Sequence, residues 1–409
     1  MARQRILAAL LKRPPLPPER VPLDEALGRA LAANLVAQDH LPPFAASTMD
    51  GYAVRSADVA RAGTRLPVRF QVFAGERPPP LPAAGCCRIT TGAPLPEGAD
   101  AVEKQEDVRR EGGQAVFGRA VPPGQFVRAR GSDLAAGEVA LKAGSLLDPA
   151  ALGLAAALGH RRVLVHRRPR VVILPTGDEL AGPGRPLRLG QVRESNGVAL
   201  AAAVREAGGE ARALPAAPDR EGSLSRALRS ARGADVLLTV GGVSVGERDL
   251  VRAALRGAGA RLSFWRVAIR PGKPFTFGLW GRTVVFGLPG NPASALVTFE
   301  LFVRPALRAL EGLAGDGRVW TWVRLREPQR KPLELSVYLR VRLSEPQDVS
   351  GLPWAEPLRT QRSGDLTSLA GADALAILPA GLDRFRRGAA VRALVLRPPH
   401  QRGDFPHDP

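Results

Sequence analysis

Asp235-Val236-Leu237-Leu238-Thr239-Val240-Gly241-Gly242-Val243-Ser244-Val245-Gly246-Glu247-Arg248-Asp249 decides how this chain is read. A buried-strand run, Asp235 to Val240, stops at paired glycines, and helical periodicity resumes over Asp249 to Arg256. Two further glycine-rich turns follow: Arg270-Pro271-Gly272-Lys273-Pro274 and Leu288-Pro289-Gly290-Asn291-Pro292-Ala293-Ser294. Each comes after an apolar run, and the first and third lead into a helix. A glycine has no Cβ to block the approach, so an anion can reach the backbone N–H groups of such a turn. Three together predict a site for a large phosphorylated ligand.

Outward from these turns the pattern is βαβ, beginning at Pro169. Val171–Leu174, Asp235–Val240 and Thr283–Phe286 read as buried strands. Ser195–Ala207, Leu224–Ala231 and Pro292 to about Leu310 read as helices. This alternation predicts a parallel-type sheet with helices on both faces and its ligand edge at the C-terminal strand ends. Before it, residues 37–134 alternate short apolar segments with Pro/Gly turns, the mark of a small β-rich domain. Residues 1–36 read as a short helix, a proline break and a second helix over Leu23–Asn34. Ala136–His166 reads as a return to helix, opened by Pro149 and closed by Gly159. Gly312–Gly317 reads as a linker to a small β domain with strands at Val319–Leu325, Ser336–Leu343, Ala374–Leu378 and Ala390–Leu396. Residues 399–409 read as a disordered tail.

The 409 residues call for roughly two to four domains. No run approaches the roughly 18 apolar residues of a membrane span, and residues 1–20 lack a secretory cleavage pattern. The cytoplasm is therefore the expected location. The net charge of +19 is carried almost wholly by arginines, scattered rather than striped and with few aromatics between them. This argues against nucleic acid and for a positive field that favours an anionic substrate. Cys86 and Cys87 are adjacent and read as small buried apolar side chains.

Thr176-Gly177-Asp178-Glu179-Leu180 follows the first strand. A carboxylate there is placed to hold Mg²⁺ against a phosphate, or to cap the following turn. Asp249 is either a helix-start charge or a metal- or water-positioning group. Ser244 offers a hydroxyl to a phosphate oxygen. Arg270 and Lys273 bring positive charge to the same edge. Ser294 and the helix opened by Pro292 either face an anion or form an ordinary structural turn. No histidine lies in these motifs, which disfavours Ser/His nucleophilic chemistry.

Six motifs in order carry a resemblance. They are Ser47-Thr48-Met49-Asp50-Gly51-Tyr52-Ala53, the run Thr91–Asp100, Pro175-Thr176-Gly177-Asp178-Glu179-Leu180, Gly241–Gly246, Arg270–Pro274 and Gly287–Pro292. The chain closely resembles MoeA-type molybdopterin molybdenumtransferases over about residues 1–310, and more loosely to about 395. The resemblance implies a multidomain α/β plus β protein. It would have a central molybdopterin-binding α/β three-layer domain (169–314), an inserted β-rich domain (37–134), a discontinuous helical/extended linker and dimerisation domain (1–36 and 135–168) and a C-terminal small β domain (315–398). It further implies an elongated homodimer, with each site between the α/β domain of one subunit and the β-rich domain of the other. Molybdate would be inserted at the dithiolene of adenylylated molybdopterin with release of AMP and with Mg²⁺. Transient contacts with other molybdenum-cofactor enzymes are expected.

Carried over by motif, Asp50, Thr91, Glu179 and Asp249 stand as catalytic residues, with Asp50, Glu179 and Asp249 as metal ligands. Substrate contacts are expected from Thr176, Gly177, Asp219, Gly241, Gly242, Ser244, Gly246, Arg266, Arg270, Gly272, Lys273, Pro289, Gly290, Asn291, Pro292 and Ser294. Arg266 and Arg270 stand where the family often has lysine, and Asp219-Arg220 where it often has two acidic residues. Ala45-Ala46 stands where polar residues are commoner. The alternative is a relative that binds or hands over the cofactor without turnover.

Overall fold

Three largely apolar runs set the centre of the computed structural model, which describes residues 2–242, 250–344 and 351–397. Arg170–Pro175, Val236–Val240 and Thr283–Leu288 lie side by side and parallel, with Glu210–Ala213 outside the first. Alternate side chains enter different cores. Val171, Ile173, Val236 and Leu238 pack with the helices Ala2–Leu11, Asn196–Glu206 and the Pro292–Leu310 region. Val172, Leu174 and Leu237 pack with Glu221–Ser230 and Leu250–Gly257. A strand buried on both faces has no polar side to show, which is why these segments read as solid apolar runs.

The sheet is not purely parallel. Arg261–Arg266, ahead of the second glycine turn, and Pro274–Trp280, absent from the sequence reading, extend it in antiparallel fashion. Their phenylalanines stack into the first core, with the Phe275 and Phe302 rings 4.5 Å apart. The expected helix from Pro292 runs to Leu310 but passes through a π-helical turn at Phe299–Val303, just before Pro305. The missing N–H of Pro305 interrupts ordinary α-helical bonding there.

The C-terminal domain closes on itself. Ser336–Ser344 pairs with both Trp354–Pro357 and Ala374–Leu378, and Trp320–Leu325 and Ala390–Val395 complete the ring. The short strand Ile269–Arg270 of the α/β domain pairs in parallel with Ser336–Val337. Residues Gly312–Gly317, expected as a linker, are anchored. Asp316 is buried and accepts bonds from Arg3 and the Trp320 indole. Arg318 and Arg304 both bond the buried Glu300 and also Glu206.

The chain divides into two compact units, Met1–Glu19 with His166–Pro409, and Arg20–Val165. Three expectations change here. Ala2–Leu11 does not go with 135–168, because Ile6 and Leu10 complete the core of the α/β domain. No helix spans Leu23–Asn34. A 3₁₀ turn at Leu23–Glu25 is followed by Gly28 at φ +72° and by extended chain bonded to Ser145 and Leu147. Ala136–His166 is helical only over Pro149–Ala157, capped by Asp148, with strands at Val139–Leu141 and Arg162–His166. Gly144 and Gly159, both at positive φ, break the helix run on either side.

The β-rich segment forms a six-stranded sheet between Gly51 and Phe117. Cys86 and Cys87 lie buried in it, unbridged, and burial pushes both thiols up to about 12. The tail 399–409 lies outside the described residues.

Candidate active site

A cavity of about 1300 Å³ opens at the C-terminal ends of the three parallel strands. Main-chain bonds tie those ends together. Thr176 N–H donates to the Val240 carbonyl at 2.8 Å, and Gly241 N–H to the Leu288 carbonyl at 3.1 Å. Gly241 has φ +89°, and a Cβ there would lie 2.5 Å from the Thr176 carbonyl oxygen. Gly290 faces it so closely that a Cβ on Gly290 would touch the Gly241 Cα at 3.4 Å. Gly272, φ +107°, packs its missing Cβ against Thr298. The three glycine turns thus converge on one cavity, with bare backbone where side chains would fill the space.

The acidic side of the cavity is Glu179 and Asp219. Burial raises the pKa of Asp219, and the neighbouring Asp178 and Glu179 carboxylates raise it further. Asp178 also accepts the Asp219 N–H at 3.3 Å. Gly177 does not line the cavity but makes room for it, since its Cβ would fall on the Glu179 carboxylate. The cationic lining is Arg193, Arg270, Lys273 and Arg362. Among the described residues no group of three or more His, Cys, Asp or Glu is disposed to hold a metal ion.

Thr176, Glu179, Asp219, Gly241, Gly242, Arg270, Gly272, Lys273, Pro289, Gly290, Asn291, Pro292 and Ser294 are brought together here. Arg266 is not. Its guanidinium lies 4.0 Å from the centre of the Trp265 ring, and it does not line the cavity. Ser244, Gly246 and Asp249 lie outside the described residues. Asp50 and Thr91 belong to the other unit and meet each other there. Thr91 donates its N–H (2.7 Å) and its hydroxyl (2.8 Å) to Asp50 Oδ1, which holds that exposed carboxyl below the usual range.

The Pro292 helix start differs from its anion-facing reading. Ala293 and Ser294 N–H donate to the Ser363 carbonyl at 3.0 and 3.3 Å, and Asn291 Nδ2 donates to Ser363 Oγ at 2.9 Å. The orphan donors of that helix are therefore satisfied by the C-terminal domain. Sequence reasoning missed this wall, Gln361–Gly364, and also Arg193, Ser195 and Asn196. Asn196 bridges two elements by donating to the Gly290 carbonyl at 2.7 Å. The only local signal at the wall is the Ser363-Gly364 turn dipeptide.

Residues 1–159 match the family model described as the MoeA N-terminal region (domain I and II). Residues 172–309 match the Probable molybdopterin binding domain, and 323–396 the MoeA C-terminal region (domain IV). The chain belongs to the MoeA family. It is 40% identical over 402 residues to the molybdopterin molybdenumtransferase of Synechococcus elongatus, covering 96% of this chain and 98% of the relative. It is 34% identical to that of Bacillus subtilis, covering 93% and 90%. The molybdopterin biosynthesis MoeA protein from Pyrococcus horikoshii is a similar solved structure, with TM-score 0.81, 30% identity and coverage of 96% and 98%.

Proposed function

We propose that this chain is a molybdopterin molybdenumtransferase, converting adenylylated molybdopterin and molybdate into molybdenum cofactor and AMP. The observation that carries the reading is the meeting of three side-chain-free turns, Gly241-Gly242, Gly272 and Gly290, at one cavity with cations on its walls. Backbone N–H groups and the Arg270 and Lys273 side chains then bind the phosphates and hold them as charge shifts to the leaving adenylate. Fixed donors of this kind need no rearrangement during the reaction.

The donor set fits Mg²⁺. Glu179 and Asp219 offer hard carboxylate oxygens on one wall; burial raises the proton affinity of Asp219 and the Asp178 and Glu179 carboxylates add to it, negative charge that a divalent cation relieves. When bound, Mg²⁺ supplies charge that polarises the phosphoanhydride. Asp249 is proposed as a further ligand. Asp50 and Thr91 are proposed to complete the cavity of a second copy in a homodimer, with Asp50 preset as an anion by Thr91. The proposed setting is cytoplasmic, with hand-over of product to other molybdenum-cofactor enzymes. No helix among the described residues is long and apolar enough to cross a membrane.

The test is reconstitution. Purified chain, adenylylated molybdopterin, molybdate and Mg²⁺ should yield cofactor that activates a molybdenum-free apoenzyme. Tight pterin binding without active cofactor would replace the transferase reading with one of storage or hand-over.

A further inference from the structure

We propose that Arg362 is the cation the C-terminal domain contributes to substrate binding, and that its guanidinium takes the phosphate of the adenylate. The proposal rests on the transferase reading. Arg193, Arg270 and Lys273 all belong to the α/β domain, so Arg362 is the only lining cation from the C-terminal barrel among the described residues.

Its side chain is exposed and makes no hydrogen bond or ion pair among the described residues, whereas other arginines of this unit, Arg304 and Arg318, are paired with carboxylates. Asp365, the acid nearest in sequence, spends Oδ1 on Thr367 and Ser368 at a helix start.

The backbone beneath that free side chain is fixed on both sides. The fully buried Arg340 donates from Nη2 to the Arg362 carbonyl at 3.1 Å. Gln361 clamps the Arg340 main chain, accepting its N–H at 3.0 Å and donating to its carbonyl at 2.9 Å. Ser363 is bound to Asn291, Ala293 and Ser294. A pinned loop has no backbone freedom left to lose on binding, and the guanidinium it carries matches a phosphate with two parallel donors.

The position also fits the chemistry. Arg362 lines the cavity and is exposed, so its guanidinium is open to an incoming phosphate. Gln361, Arg362 and Gly364 also border a second cavity of about 850 Å³, whose charged lining is Arg342, Arg359, Arg362 and Asp365.

The test is calorimetric titration of the full chain with AMP, adenosine and molybdate in the presence of Mg²⁺, for the unmutated protein, Arg362→Gln and Arg362→Lys. Arg362→Gln should weaken AMP binding about tenfold and leave adenosine unchanged, with part of the loss recovered in Arg362→Lys and the melting temperature unmoved. Unchanged AMP affinity, an equal loss for adenosine, or a loss confined to molybdate would each overturn the assignment. AMP release is measured in parallel. An unmutated chain that turns over while Arg362→Gln binds AMP normally sinks only the arginine assignment. An unmutated chain that neither binds nor releases AMP sinks the transferase reading and this assignment with it.

Discussion

Asn291 and Ser363 are 72 residues apart, in different domains, and are joined by a 2.9 Å hydrogen bond from Asn291 Nδ2 to Ser363 Oγ. The same serine's carbonyl receives the first free N–H groups of the helix after Asn291. The glycine turn at the sheet edge and the wall of the C-terminal domain therefore behave as one element. Asn291→Ala and Ser363→Ala should each cost about 1 kcal/mol. The double variant should be little worse than either single one, a coupling that a double-mutant cycle of thermal stability reads directly. Additive losses would mean the bond contributes nothing.

Gly241 has a positive φ and no room for a methyl group beside the Thr176 carbonyl. Gly241→Ala should lower stability by about 2–4 kcal/mol and abolish turnover, because the strand end must shift. Gly153→Ala is the control. Its Cβ would meet nothing within 4 Å, and it should be neutral or slightly stabilising. Similar behaviour of the two variants would contradict the account.

Glu103 is fully enclosed in the β-rich unit. Burial pushes its pKa up, but bonds from Arg119, Gln125 and the Lys104 N–H outweigh that and leave it lowered. A lowered carboxylate binds its proton less well folded than unfolded. Its stabilisation is thus complete above the unfolded value of about 4.3 and fades as pH falls through the folded one. Glu103→Gln should lose on the order of 1–3 kcal/mol at pH 7. The gap between the two proteins should close on acidification below about pH 4.3. Urea melts across pH would show it, and a gap independent of pH would refute it.

Glu179 and Asp219 share the acidic wall of the cavity. Mg²⁺ should raise the melting temperature of the unmutated chain, and Glu179→Ala or Asp219→Asn should lessen that rise. In turnover, each variant should demand at least about tenfold more Mg²⁺, equivalent to about 1.4 kcal/mol of lost binding. Wild-type Mg²⁺ dependence in both variants would remove the carboxylates from the metal site.

The parallel strands were legible because burial on both faces leaves almost only apolar residues, as in Val171–Leu174 and, apart from Thr239, Val236–Val240. The glycine turns were legible because only glycine meets the conformations found at 241 and 272. The strand at Pro274–Trp280 was hidden by a pattern that mixes proline, aromatic and glycine residues. Leu23–Asn34 has helix-forming composition, but its backbone donors and acceptors are claimed by Ser145 and Leu147 from far along the chain. The same holds for Gln361–Gly364, whose place in the cavity arises from long-range bonds to Arg340 and Asn291. A tertiary contact of that kind leaves no periodicity to read.

The most direct test follows AMP from adenylylated molybdopterin with purified chain and Mg²⁺, with and without molybdate. The account predicts AMP release that requires both molybdate and enzyme, one AMP for each active cofactor formed. Release indifferent to molybdate, or binding with no release, would contradict it.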